Sequence, residues 1–344
     1  MTKRALITGI TGQDGAFLSK LLLEKGYEVY GTCRPNSSPI NWRLKELGVF
    51  EQVHMVPLEL FEYSNIIKTV DTVRPDEIYN LGAQSFVSSS FDQPIYTSEV
   101  NAIGVLRLLE VIRNVNSDIK FYQASTSELY GKAQESPQTE NTRFYPRSPY
   151  SVAKQFAHSI TINYREAYNL HASAGILFNH ESELRGTEFV TRKITSSLAM
   201  IWHNKLDVLE LGNINIERDW GYAKDYVFAM WKMLQQPVPG EFVIATGKSH
   251  TLREFISIAA DSIGIKLEWS GEGKDEFAVN KSTGKKIIKI NEKYFRLTDV
   301  DRIVGDPKNA NEVLKWKPTV TFEELVHIMA KTDYDRVKND KLLI

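Results

Sequence analysis

The chain has 344 residues, 42% of them apolar and 25% charged, with 42 basic side chains against 43 acidic ones. A length of this order corresponds to about two domains and buries roughly three quarters of the unfolded surface, so the core needs neither a disulfide nor a metal. The near-zero net charge removes the electrostatic case for a dedicated nucleic-acid or membrane-surface binder. The single cysteine, Cys33, excludes an intramolecular disulfide and fits a reducing compartment. No apolar run reaches the ~18 residues of a membrane span, and the amino terminus turns to glycine too early for a signal peptide. The expectation is a soluble, cytoplasmic globular protein.

In chain order, Ala5 to Thr8 reads as a buried strand that breaks at Gly9. Phe17, Leu18, Leu21 and Leu22 recur at helical spacing and stop at Lys25-Gly26. Glu28 to Cys33, Val53 to Leu60 and Glu77 to Leu81 read as the next strands. Val100 to Arg113 is an amphipathic helix, Phe121 to Ala124 a strand, Tyr150 to Tyr168 a long helix, and Ala174 to Asn179 another buried run. This alternation predicts an α/β fold with a doubly wound parallel sheet covered by helices on both faces. Beyond residue 180 the pattern loosens. Leu206 to Gly212 and Glu241 to Thr246 still read as strands, and the Gly/Lys-rich stretch from Leu267 to Phe295 reads as a hairpin or a mobile loop. No tandem repeat or coiled coil is visible. The reading assigns 1–180 to a Rossmann-type domain, with later segments at about 212–250 returning to it, and 181–344 mainly to a smaller C-terminal α/β domain.

Gly9, Gly12 and Gly15, in Gly-Ile-Thr-Gly-Gln-Asp-Gly, follow a predicted strand and open a predicted helix. Glycines there permit a tight turn and bring backbone N–H groups close to a pyrophosphate at the helix N-terminus. The bland reading is a glycine-rich turn that serves packing alone. The second strand ends in Cys33-Arg34-Pro35-Asn36-Ser37-Ser38, without the carboxylate that an NAD-selective fold places on the ribose 2′-OH. Arginine and hydroxyls favour a 2′-phosphate, hence NADP, although an arginine in a loop is also an ordinary surface residue.

Tyr150 and Lys154 lie one turn apart on a predicted helix, where an ammonium lowers the pKa of a phenol and prepares it to take a hydroxyl proton. Thr126, Ser127 and Glu128 follow a strand about 25 residues upstream, at the carboxyl edge where doubly wound sheets bind ligands. The competing reading makes Tyr150 a packing residue and Glu128 a solvated acid. Metal chemistry has little support: the 7 histidines are scattered, and His180-Glu181 reads as a core or pocket histidine more readily than as a ligand pair. Gly-x-Ser-x-Gly is absent, so no hydrolase signature is present.

The strings ALITGITGQDG, YNLGAQSFV, FYQASTSELYG, FYPRSPYSVAKQ, GILFNHES, FVTRKIT, RDWGYAKDY and FVIATG together resemble the GDP-mannose 4,6-dehydratase family, within the extended short-chain dehydrogenase/reductases. The resemblance runs to about Lys317. It implies an NADP-dependent lyase that makes GDP-4-keto-6-deoxymannose for deoxyhexose synthesis. It implies that Tyr150 takes the 4-OH proton, Thr126 bonds the 4-oxygen, Lys154 holds the nicotinamide ribose, and Glu128 serves both C5 and C6, because Ser127 replaces the acidic pair of related dTDP-glucose dehydratases. By the same resemblance Gly9, Gly12, Gln13, Asp14 and Gly15 hold the pyrophosphate, with Arg34 and Ser37 at the 2′-phosphate. Glu59 and Leu60 flank the adenine, while Leu81, Gly82, Ala83, Ser85 and Tyr96 line the nicotinamide side. His180 and Arg185 lie near the cofactor. Ser85, Asn179, Val190, Lys193, Gly212, Asn213, Arg218 and Arg296 match the GDP-sugar shell, where lysine and arginine suit a diphosphate.

Four departures from the family pattern stand out. A paired arginine is reduced to Arg34-Pro35-Asn36. An aspartate near the adenine is Glu59. The family's HESP(R/L)RG becomes His180-Glu181-Ser182-Glu183-Leu184-Arg185-Gly186, and its FRPAE becomes Phe295-Arg296-Leu297-Thr298-Asp299. None removes a catalytic residue. Rival readings are the same dehydration on GDP-manno-heptose, a 4-epimerase or 4-reductase (against which Glu128 argues, since neither needs a C5 base), and a non-catalytic NADP-sensing regulator. The helices at Val100 and Tyr150 resemble the pair that forms a four-helix dimer interface in the superfamily, which implies a homodimer or homotetramer. No metal, nucleic acid or membrane partner is expected.

Overall fold

The protein is described by a computed structural model covering residues 2–34, 41–295 and 302–341. The expectations placed on Ser37 and Arg296 lie outside those residues. In chain order the elements are β1 (Arg4–Thr8), α1 (Gln13–Glu24), β2 (Glu28–Cys33), α2 (Trp42–Glu46), β3 (His54–Pro57), α3 (Tyr63–Val73), β4 (Glu77–Asn80), α4 (Val87–Asp92), α5 (Pro94–Ser98), α6 (Gly104–Val115), β5 (Lys120–Thr126), α7 (Pro149–Tyr168) and β6 (Ala172–Leu177). They continue as β7 (Asn179–Glu181), α8 (Val190–Trp202), β8 (Leu209–Leu211), β9 (Glu217–Arg218), β10 (Trp220–Tyr222), α9 (Ala223–Leu234), β11 (Glu241–Ile244), β12 (His250–Thr251) and α10 (Leu252–Ser262). The last are β13 (Leu267–Ser270), β14 (Phe277–Asn280), β15 (Lys286–Ile290), β16 (Arg302–Ile303), α11 (Lys308–Val313) and α12 (Phe322–Lys338).

Two compact units result. The first comprises Met1–Phe178, Ala223–Thr246 and Gly305–Lys317, and the second Asn179–Tyr222, Gly247–Val304 and Pro318–Ile344. In the first unit a seven-stranded parallel sheet runs β11-β6-β5-β4-β1-β2-β3. The strand order reverses between β1 and β4, which creates the crevice where such sheets bind ligands. Helices α1 and α9 pack on each other, and α3, α6 and α7 form a second layer. Burial on both faces explains why β4 and β6 carry no exposed position and read as continuous runs rather than alternating ones. Leu6, Ile78 and Phe121 from the sheet meet Val70, Leu108, Ile112 and Ala157 from the helices in one core.

Two elements differ from the sequence expectation. The third strand stops at Pro57: the Leu58 N–H still donates to the Cys33 carbonyl of β2, and beyond it Leu58 and Leu60 are buried in the core. The helix expected from Val100 begins as a π-helical turn, Glu99–Ile103, and becomes α-helical only at Gly104.

In the second unit β13, β14 and β15 form an antiparallel meander, and β15 pairs parallel with β8. The stretch from Leu267 therefore forms strands, as in the hairpin alternative, and buries Ala278, Ile287 and Ile288 against α8, α10 and α12. The apolar face of each helix drives this: Ile194 and Leu198, Phe255 and Ala259, and Leu325 and Met329 recur at helical spacing.

Candidate active site

At the reversal point, Gly9 adopts φ +70° and has Gly82 so close that a Cβ would lie 2.9 Å from its Cα. A Cβ on Gly15 would lie 2.5 Å from Ile10 Cα, so α1 approaches β1 only because that position is bare. Gly12 caps α1 in an extended conformation and contributes no side-chain cap, so the helix opens on backbone N–H groups of the kind that bind anions. The helix has twelve residues, and Gln13 at its start is buried and bonded to Asp14. Arg43, from α2, donates to the Thr11 carbonyl at 3.0 Å and brings a second guanidinium to this loop. No motif spacing singles it out.

Arg34 reaches the Tyr96 hydroxyl at 3.3 Å, which joins the end of β2 to the loop side of α5. The Glu59 N–H donates to Asn65, and the Leu60 carbonyl accepts from Arg107 of α6. Both flanking residues are therefore fixed by their backbones. The Gly82 N–H donates to Thr8 Oγ1 at 2.9 Å. Asn101, buried in the π-helical turn, brackets Gln84, accepting from its N–H and donating to its carbonyl at 2.8 Å each. Leu81 to Ala83 are half-buried, and Ser85 is exposed just beyond. Sequence reasoning missed Asn101; the only trace is one amide in an otherwise apolar helical stretch.

β5 ends at Thr126, whose Oγ1 accepts the Glu128 N–H at 3.2 Å and caps the turn Ser127–Leu129. This bond ties the Thr126 side chain to the Glu128 backbone, and Glu128 is half-buried. α7 packs on β5 and on that turn. Its start is set by Ser148, which exchanges bonds with Ser151 in a capping box, and by Pro149 in the first turn. Tyr150 therefore occupies the first turn of α7, 9% exposed, with Lys154 one turn on. The Lys154 ammonium lies 6.0 Å from the Tyr150 ring centre and donates to the Ala124 carbonyl at 2.9 Å. Burial pushes its pKa down to about 8, opposed in part by the Asp14 carboxylate. His158, a further turn along, meets Ser125 at 2.9 Å, and burial lowers it to about 4, so the imidazole is neutral at physiological pH.

The second unit carries the other expected residues. Asn179 and His180 lie on β7, paired in parallel with β10. Arg185 lies 3.1 Å from buried Glu181 and stacks on Phe189 at 3.6 Å. Val190 opens α8, one turn before Lys193, which donates to the Glu210 carbonyl at 2.7 Å over the Tyr294 ring. Burial holds the Lys193 pKa below the usual lysine range. Gly212 faces the Tyr294 carbonyl where a Cβ would come within 2.5 Å, Asn213 accepts from the Asn215 N–H, and buried Arg218 donates to the Glu217 carbonyl. Arg192, which no motif reading selected, bonds both Asp333 oxygens and the Glu183 and Arg185 carbonyls, so it fixes the segment bearing Arg185. Among the described residues no group of three or more His, Cys, Asp or Glu side chains could hold a metal, and no helix is long and apolar enough to cross a membrane.

A family model described as GDP-mannose 4,6 dehydratase matches residues 6–329. The chain is 50% identical to the GDP-mannose 4,6 dehydratase of Drosophila melanogaster over 99% of its own length and 88% of the relative's. It is 50% identical to that of Homo sapiens over 98% and 92%. In structure it resembles RMD from Pseudomonas aeruginosa complexed with NADPH, with a TM-score of 0.76 and 21% identity over 98% and 99% of the two chains, a likeness of fold.

Proposed function

The chain belongs to the GDP-mannose 4,6-dehydratase family, and from that premise we propose that it is the hydro-lyase converting GDP-mannose to GDP-4-keto-6-deoxymannose. The observation that carries the reading is the set Thr126, Glu128, Tyr150 and Lys154 around the end of β5 and the start of α7. An epimerase or reductase needs no acid beside Thr126, whereas a dehydratase must deprotonate C5.

The first unit suits NADP. Gly9 and Gly15 stand where a Cβ has no room, α1 opens without a side-chain cap, and β2 is followed by Arg34 rather than by a carboxylate. Gly9 to Gly15 hold the pyrophosphate, Arg34 the 2′-phosphate side, Glu59 and Leu60 the adenine, and Leu81 to Ser85 with Tyr96 the nicotinamide side. When bound, NADP supplies a hydride acceptor that is restored within each turnover, so the reaction consumes no net reductant. Tyr150, its phenolate favoured by the Lys154 ammonium, takes the 4-OH proton as C4 is oxidised, and Thr126 donates to the 4-oxygen. The 4-keto group acidifies C5, and Glu128 removes that proton. Glu128 then returns it to the C6 oxygen as water leaves, the one carboxylic acid acting as base and then as acid, and the proton taken by Tyr150 is balanced by the one that C5 regains as C6 is reduced. The second unit binds the GDP-sugar through Asn179, Val190, Lys193, Gly212, Asn213 and Arg218.

The assembly is a homo-oligomer. Val152 and Phe156 on α7 and Ile95 on the adjoining α5 are exposed and apolar, as a face covered by a second copy would be. Incubation of the purified protein with GDP-mannose, followed by mass analysis, tests the function. A nucleotide sugar lighter by one water is expected. An unchanged mass marks an epimerase, and absence of product marks a binding protein.

A further inference from the structure

We propose that Thr8, Asn80 and Gln123 form a one-way hydrogen-bond chain that couples the Gly82 turn to Lys154, making them positioning residues for the Tyr150-Lys154 pair. The three side chains come from adjacent strands β1, β4 and β5 and are direct partners in the sheet register, Thr8 with Asn80 and Asn80 with Gln123. All are at most 2% exposed. A row of polar side chains at such depth costs stability unless every group is bonded, and apolar residues would pack there without that risk.

Every link is made. The Gly82 N–H donates to Thr8 Oγ1 at 2.9 Å, and the Thr8 hydroxyl donates to Asn80 Oδ1 at 2.7 Å. Asn80 Nδ2 donates to Gln123 Oε1 at 2.8 Å, and Gln123 Nε2 donates to the Ala124 carbonyl at 2.8 Å. The two ends fix the direction. A backbone N–H can only donate and a carbonyl can only accept, so the hydroxyl and both amides have one consistent orientation. Flipping either amide sets donor against donor or acceptor against acceptor.

The chain therefore delivers a donor to the same carbonyl oxygen that receives Lys154 at 2.9 Å. Sharing that acceptor weakens its hold on the ammonium and leaves charge available to Tyr150, 6.0 Å away at the ring centre. Removing the chain frees the carbonyl to bind Lys154 more tightly, which raises the lysine pKa and draws the ammonium from the phenol. Asp14 is the charged group acting on Lys154 through space, and Tyr150 and His158 are its titratable neighbours on α7. None belongs to the chain. The other end is the Gly82 turn beside Gly9, so cofactor contact there and lysine placement share one set of bonds.

The assignment of a role in catalysis rests on the functional reading above, but the chain can be tested without turnover. The Lys154 titration is followed by NMR of protein labelled with 13Cε-lysine, its signal identified by loss in Lys154→Met, for the cofactor-bound wild type, Thr8→Val, Thr8→Ser and Gln123→Met. One hydrogen bond corresponds to a shift of roughly half a pH unit. Thr8→Val and Gln123→Met should move the Lys154 midpoint upward by that amount, and Thr8→Ser, which keeps the hydroxyl, should restore it. The acid limb of kcat against pH should move the same way, with the KM for GDP-mannose little changed. An unmoved midpoint in Thr8→Val overturns the proposal, as does a Thr8→Ser shift equal to that of Thr8→Val. If Gln123→Met fails to fold, the Thr8 pair still decides. Because the titration needs no substrate, failure of the wild type to dehydrate GDP-mannose refutes the functional reading and leaves this test intact.

Discussion

Glu128 carries the distinction between a dehydratase and its relatives on this fold. Glu128→Gln keeps the shape of the side chain and the Thr126 cap, which uses the Glu128 backbone N–H. C4 oxidation should persist while C5 deprotonation stops, with turnover falling about 10²–10⁴-fold. Mixing the variant with GDP-mannose should give NADPH absorbance without dehydrated product, and near-normal turnover would remove Glu128 from the mechanism. Lys154 shows a trade between function and stability. Its pKa in the fold, about 8, is below the usual 10.5 because of burial, so the unfolded chain binds the extra proton between those values and wild-type stability rises as pH climbs from 8 to 10.5. Lys154→Met should therefore be inactive yet more stable below pH 8, by on the order of 3 kcal/mol, an advantage that fades by about pH 10.5. Thermal denaturation across that range checks both parts. The Tyr150-Lys154 spacing and the glycine loop were legible in the sequence because their chemistry is local. Thr8, Asn80 and Gln123 were not, since they are far apart in the chain and only strand register aligns them. The sugar-nucleotide shell came from family resemblance, because no spacing distinguishes Lys193 or Arg218 from an ordinary surface base.

Elements are held in place by features of unequal visibility. The strand Glu28–Cys33 was legible to its ends, with the strand formers Val29, Tyr30 and Thr32 entered through the Gly26 turn. The helix around Val100 was legible in kind but not in form. Its π-helical turn sets Asn101 against Gln84, a tertiary bond that no periodicity encodes. The start of α7 is more consequential, because Ser148 and Ser151 fix where Tyr150 enters the helix. Ser148→Ala removes one half of that capping box. It should cost about 1 kcal/mol, lower the denaturation midpoint by roughly 1–2 °C and reduce kcat more than it changes KM. Calorimetry and steady-state kinetics check the pair of effects. A midpoint unchanged from wild type would mean that packing of α7 on β5 alone sets its start.

For the whole molecule, the chain passes between units more often than composition suggests. Ala223–Thr246 and Gly305–Lys317 return to the first unit, and the second return is short and has no motif of its own. The homo-oligomer proposed from the exposed face of α7 should sediment as a dimer or tetramer at micromolar concentration, and a monomer would contradict it. In the proposed mechanism C4 oxidation and C6 reduction are halves of one closed cycle within a single protein. The most direct measurement uses GDP-mannose deuterated at C4, in ordinary water with no added NADPH, and locates the label in the product. A closed cycle yields GDP-4-keto-6-deoxymannose with deuterium at C6 and no net change in bound cofactor. Product without deuterium at C6, or formed only while NADPH is consumed, would contradict it.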